Sequence, residues 1–315
     1  MSQPATTPAG RAPRLDAFGR LELAIQRRLE GRLHGDHLGL LPGHGSELGE
    51  ARRYRPGDDV RRIDWAVTAR TTATHVRDTI ADHELTTIGV LDLSGSIHFG
   101  TGRRIKRDVA IEVLGGLGFV TAHGVNRFGA LALHPAGERW YPPASGRHHV
   151  HATLRRIARL PRANAATAGE GSAEVDLARG LARAGRLARR RGFVVVISDF
   201  MGTPAWSRRL RALVERHDVM AVEVVDPREL TLPDVGYLTV ADPETGRRRV
   251  VDTGDARLRE RYARAAAAQR AAVAADIRRA GADHLQVRTD ADWLADLLRH
   301  IEVRRRSRMT RSARR

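Results

Sequence analysis

TTIGVLDLSGSIHFG, residues 86–100, decides how the rest of the chain is read. Its apolar run, Ile88 to Leu91, leads directly into Asp92, Ser94 and Ser96, and a long helical pattern follows. A short apolar run bounded by polar residues predicts a buried strand, and in a parallel sheet function gathers where such strands end. Asp92, Ser94 and Ser96 form Asp-x-Ser-x-Ser on the turn that leaves the strand. One carboxylate and two hydroxyls from a tight turn suit a hard divalent cation. Mg²⁺ takes oxygen ligands, keeps several waters and is usually held by one or two carboxylates. A second apolar run, FVVVIS from Phe193 to Ser198, also ends in an acid, Asp199. Two parallel strands with acid-bearing ends fit a single ion at the carboxyl edge of a sheet.

Between and beyond these strands the pattern alternates. Ile105 to Ala122 reads as a helix, with Ile105, Val109, Val113 and Leu117 four apart. Asn126 to Leu133 reads as a strand, and Trp140-Tyr141 as a short edge strand ended by Pro142-Pro143. Helices are expected over Val150–Leu160, Leu177–Arg191, Trp206–His217, Ala256–Ala280 and Asp292–Val303. Strands are expected over Val219–Val225 and Leu285–Arg288, with a hairpin from Gly236 to Asp252 across DPETG. Alternation of this kind predicts an α/β fold, an open, mainly parallel sheet with helices on both faces.

Upstream, residues 1–13 are rich in Pro, Thr and Ala and read as a disordered tail. Leu15, Phe18, Leu21, Ile25 and Leu29 mark one apolar face of a helix ending near Gly31. The glycine-rich loop after it carries His34, His37 and His44, read as ordinary loop histidines. From Glu50 to Arg77 the chain is dense with charge: Tyr54, Arg55, Pro56, Gly57, Asp58, Asp59, Arg61, Arg62, Asp64, Trp65 and Arg70. Pro56-Gly57 signals a turn and Asp58 a helix cap. Two readings of this segment stand side by side. It is an internal Arg–carboxylate network locking an appendage to the sheet, with Trp65 as its apolar anchor, or it is a docking surface for a partner.

At 315 residues the chain can bury a sizeable core. No apolar run is long enough to span a bilayer and the first residues lack the apolar segment of a secretory signal, so a soluble, cytoplasmic protein without a membrane span is expected. The absence of Cys excludes disulfides, Cys-ligated zinc and a Cys nucleophile. The net charge of +17 raises nucleic acid as a partner. However, the charge is scattered arginine, with one cluster in VRRRSRMTRSARR (Val303–Arg315), and only 4% of residues are aromatic, too few for a stacking platform. Lys106 is the only lysine; every other one of the 54 Lys and Arg residues is arginine.

The stretch at Asp92 resembles the metal-ion-dependent adhesion site of von Willebrand factor A-type domains. Together with GEARRYRPGDDVRRIDWAVTART, Gly49 to Thr71, it makes the chain similar to the bacterial von Willebrand A-like family called domain of unknown function 58, over roughly Gly31 to Thr289. The resemblance implies an N-terminal segment over 14–84, a von Willebrand A-like domain over 85–302 and a basic tail over 303–315. It implies Mg²⁺ or Mn²⁺ on Asp92, Ser94, Ser96 and Asp199. A Thr that usually completes such a site is replaced: Val175 stands ahead of Asp176 and Leu177, and either Ser172 or Asp176 substitutes, or the site is vestigial. It also implies a partner, a MoxR-type AAA+ ATPase, for which such proteins act as adaptors in chaperone-like assembly or activation of an unnamed client.

Enzymatic readings have less to stand on. The chain has no Gly-x-x-x-x-Gly-Lys loop, no His-Glu-x-x-His and no Gly-x-Ser-x-Gly elbow. The expectation is a non-enzymatic interaction protein. The rivals are a metal-dependent hydrolase built on the two acids and nucleic-acid binding through the Arg-rich surface.

Overall fold

A computed structural model describes residues 15–30, 51–55, 58, 60, 63–71, 73–77, 85–122, 124–162, 175–241 and 247–312. Its centre is a six-stranded sheet of β3 (Thr86–Asp92), β4 (Arg127–Leu133), β5 (Arg139–Ser145), β6 (Phe193–Ser198), β7 (Asp218–Val225) and β10 (Asp283–Arg288). The order across the sheet is β10-β7-β6-β3-β4-β5, and every pair is parallel except β4 with β5. This is the doubly covered α/β architecture that the Asp92 stretch and the strand–helix alternation predict.

The strand sequences explain the layering. In β3, Val90 faces one core and Leu91 the other; in β6, Val194 and Val196 oppose Val195 and Ile197. Strands buried on both faces carry continuous Val, Ile and Leu because no side of the pleat meets water. One face is covered by α1 (Leu15–Glu30), α3 (Lys106–Thr121), α4 (Arg147–Ala158) and α9 (Trp293–Ser312). The other is covered by α5 (Leu177–Leu187), α6 (Ala205–Val214) and α8 (Ala256–Ala280). The α3 helix is buried nearly all round because it lies between the sheet and α1, α4 and α9. Phe18 and Ile25 of α1 belong to that same core, so this helix packs with the sheet layer itself.

Three expectations need correcting. Pro142 and Pro143 do not end the edge strand: β5 runs through both, antiparallel to β4 and, among the described residues, with no strand on its far side. The two prolines fall where the β4–β5 register shifts between Phe128 and Ala130, an edge-strand bulge in which the ladder does not need their N–H groups. Asp58 Oδ2 accepts from Arg55 N at 2.7 Å and closes a turn. The helix of this segment is α2 (Trp65–Thr71), and Asp64 caps it, accepting from Ala66 N at 3.0 Å and Val67 N at 3.1 Å. Trp65 is no apolar anchor, being 71% exposed. The last helix also passes the expected boundary at 302 and runs to Ser312, with the Arg304 side chain buried against Asp283 and Asp218.

Two small sheets flank the main one. β1 (Ala51–Arg53) pairs antiparallel with β2 (His75–Arg77). β8 (Tyr237–Ala241) pairs with β9 (Arg248–Asp252) in the expected hairpin, which follows the one-turn α7 (Pro227–Leu230). Among the described residues no helix is long and apolar enough to cross a membrane. Residues 1–13, the His34–His44 loop, Pro56, Gly57, Asp59, Arg61, Arg62 and Ser172 lie outside the described residues.

Candidate functional site

From β3 the chain builds outward through β4 and β5 on one side, then crosses to β6, β7 and β10 on the other. The strand order therefore reverses between the neighbours β3 and β6. Loops leaving the two strands diverge there, and a crevice opens at their carboxyl ends, the place where open α/β sheets bind ligands. Asp92 is the last residue of β3, and Asp199 is the first after β6. The two sequence-predicted acids thus meet at the switch point, both buried.

Asp92 Oδ1 accepts from Ser94 N at 2.9 Å, and its Oδ2 accepts from Ser198 Oγ at 2.6 Å. Ser94 Oγ and Ser96 Oγ lie 3.1 Å apart, and Ser96 also hydrogen-bonds Asp199. The predicted set Asp92, Ser94, Ser96 and Asp199 is therefore brought together. Burial, and then the neighbouring Asp199 charge, push the Asp92 carboxyl up to about 6 against the hydrogen bonds from Ser198 and Ser94. On the far side, Asp199 Oδ1 accepts from Met201 N at 3.1 Å. That turn holds Phe200 at φ +52°, a left-handed conformation costly for a bulky residue, with its ring buried and packed on Trp206 at 4.9 Å.

Beside Asp199, on the side of Glu229, stands a residue that strand-end patterns do not flag. Lys106, the first residue of α3, is fully buried. Its Nζ donates to Asp199 Oδ2 at 2.7 Å and to Glu229 Oε1 at 2.5 Å, and lies 5.9 Å from the centre of the Phe99 ring. Burial opposes its charge, but Asp199 and Glu229 together carry it above the ordinary lysine range. Burial likewise works against the Asp199 charge, and the ammonium overcomes it, holding that carboxyl low. A cation on the first turn of a helix opposes the helix dipole, so these two carboxylates are what keep it there. Gly100 lets the loop close over this point, since a Cβ on it would sit 2.5 Å from Ile105 Cα.

Further groups lock the edge. Arg270 of α8 donates to the Asp199 carbonyl at 3.0 Å and to buried Glu223 at 2.9 Å. Asp226, after β7, accepts from Thr101 Oγ1 and Thr289 Oγ1, each at 2.8 Å, tying the β3, β7 and β10 loops together. Sequence patterns do not give Asp226, Glu229, Ser198 or Arg270 as members of the site. For Lys106 a signal existed, its being the single lysine.

The donor set is hard oxygen, as Mg²⁺ or Mn²⁺ requires, but the arrangement does not fit such an ion. Asp199 already carries an ammonium, and an ion on that carboxylate would stand within a few ångströms of a like charge. Repulsion between unit charges 4 Å apart is about 4 kcal/mol at an effective dielectric of 20, and a divalent ion doubles it. Val175, in the place of the usual Thr, packs on the apolar cluster under α5 and α6. Asp176 does not swing in: it caps α5, accepting from Arg179 N at 3.1 Å.

The family model described as "Protein of unknown function DUF58" matches residues 50–272. The chain belongs to the DUF58 family. This DUF58 chain is 50% identical over 295 residues to the uncharacterized protein Rv1480 of Mycobacterium tuberculosis, across 93% of this chain and 91% of that one. It is 47% identical over 165 residues to the uncharacterized protein MAV169 of Mycobacterium avium, across 52% of this chain and 94% of the other. Among solved structures it is similar to the conserved hypothetical protein BatB from Bacteroides thetaiotaomicron, with TM-score 0.44 and 18% identity over 72% of this chain and 99% of that one. Similarity to the SpRpn10 VWA domain has TM-score 0.38 and 10% identity, over 68% and 94%.

Proposed function

We propose that this DUF58 chain is a non-enzymatic, cytoplasmic interaction protein that receives its partner at the carboxyl edge of the sheet. It acts as an adaptor between a MoxR-type AAA+ ATPase and a client in chaperone-like assembly or activation. The observation that carries the reading is the rim of the switch point. Phe99 and Met201, 36% and 41% exposed, each follow one of the acid-bearing loops, on a base locked by buried ion pairs. Large apolar side chains held on a rigid polar base are what a partner's hot spot packs against. The ATPase comes from the family resemblance, and nothing in this chain names the client.

The test is binding of the purified chain to the MoxR-type ATPase of the same genome, wild type against a Phe99→Ser, Met201→Ser double variant. Tyr237→Ser, on the β8–β9 hairpin, is the control. A partner would bury only the exposed share of each side chain, worth roughly 0.5–1 kcal/mol apiece, so a loss of about fivefold or more is expected for the double variant and none for the control. Equal affinity in all three defeats the reading. Catalytic turnover by the chain alone would favour the hydrolase instead. Of the two readings of the Glu50–Arg77 segment, the exposure of Trp65 favours a docking surface, and Trp65→Ser belongs in the same series.

A further inference from the structure

We infer that the ammonium of Lys106 stands in for the divalent ion at this edge, so that the site is assembled by a cation built into the chain and forms without metal. This goes beyond the proposed partner role and holds whichever protein docks there.

Three observations converge on it. The first is position. Nζ joins Asp199 of the β6 loop, Glu229 of α7 and the Phe99 ring of the β3 loop, so one cation gathers three loops of the carboxyl edge, the task a bound ion would perform. The second is the ligand set. The residue in the remaining ligand place, Val175, is turned to packing, and Asp176 is spent as a helix cap. The third is residue choice. A chain that uses arginine at every other basic position keeps lysine here. Arginine presents a planar fork on a broad head, whereas lysine presents a compact point charge with three tetrahedral donors. Only the second resembles a metal ion in size and in the directions it can be approached, and the pocket around Nζ is closed. The substitution also explains why Asp92 is left to hydrogen bonds from Ser94 and Ser198: the built-in charge is single, and it sits on Asp199.

The test uses the full chain and Mn²⁺ as probe. Free Mn²⁺ is titrated by electron paramagnetic resonance, and thermal unfolding is followed in EDTA and in excess Mg²⁺ or Mn²⁺. Wild type is expected to leave the free Mn²⁺ signal unchanged and to unfold at the same temperature in each condition. Lys106→Met, similar in length and uncharged, opens Asp199 and Glu229. This variant is expected to unfold earlier in EDTA and to regain a few degrees or more with Mn²⁺, as saturating a site raises the midpoint. A variant folded only with Mn²⁺ gives the same support. Stoichiometric Mn²⁺ uptake by wild type, lost in Asp199→Asn, overturns the inference, and so does a folded Lys106→Met that takes up no ion. Should Lys106→Met fail to fold in any condition, the wild-type titration decides alone, since a resident metal must appear in it. None of these readouts depends on partner binding, so failure here is distinct from failure of the adaptor reading.

Discussion

His98 interacts through Nδ1 with the Ser94 carbonyl at 2.9 Å, and since a carbonyl only accepts, that nitrogen carries the proton. Burial, reinforced by Arg107, His134 and Arg162, holds its imidazole down at about 4 against the pull of the Ser94 bond. The unfolded chain takes up the proton first, so the stability this group contributes is complete above about pH 6.5. It is lost as pH falls toward 4, up to about 3 kcal/mol over that window. His98→Asn keeps a donor near Nδ1 and is expected to flatten the decline, read by urea unfolding at pH 4, 5, 6 and 7. At the same scale, Lys106→Ala strands the Asp199 carboxylate and is expected to cost about 3–5 kcal/mol, measured by denaturant unfolding. The two acids were legible in the sequence because each ends an apolar run. The lysine paired with Asp199 was not, since α3 reaches the edge only through tertiary packing. Its singularity was visible, its place was not.

Elements were legible wherever one rule governed them. The hydrophobic runs of β3, β6 and β7, the period of α3 and the Ala- and Arg-rich run of α8 locate them to within a few residues. Failures came where two rules compete. Proline ends a central strand but is tolerated on an edge, and sequence does not say which β5 is. Trp65 reads as an anchor by size, but it opens α2 with its ring exposed, and Asp64 before it is the residue that caps that helix. The β3–α3 contact offers a test of how tightly the layers fit. A Cβ on Gly89 would stand 2.1 Å from Leu114 Cδ1, so Gly89→Ala overpacks the interface. Its expected cost is about 1–3 kcal/mol. Leu114→Ala alone should cost about 2–5 kcal/mol through its cavity. Together they are expected to cost less than their sum, a non-additivity that a double-mutant cycle in urea measures directly.

At the scale of the molecule, a charge of +17 is carried almost wholly by arginine, and some of it is structural. Arg304 lies 5.7 Å over the Phe193 ring, with its guanidinium paired to Asp283 at 2.6 Å and to Asp218. It therefore joins the last helix to β6, β7 and β10, and Arg304→Ala is expected to destabilise the fold by about 2 kcal/mol in thermal or urea unfolding. The basic C-terminal run, read from sequence as a tail, thus begins inside the fold, because charge density hides which arginine finds an acid. The burial of Lys106 has a chemical corollary of its own. The folded molecule offers no side-chain amine to solvent, so acylating reagents and lysine-directed conjugation find no side-chain target until the edge opens. Appearance of a single acylated lysine would then be a clock for that opening, counting excursions from the native state one molecule at a time.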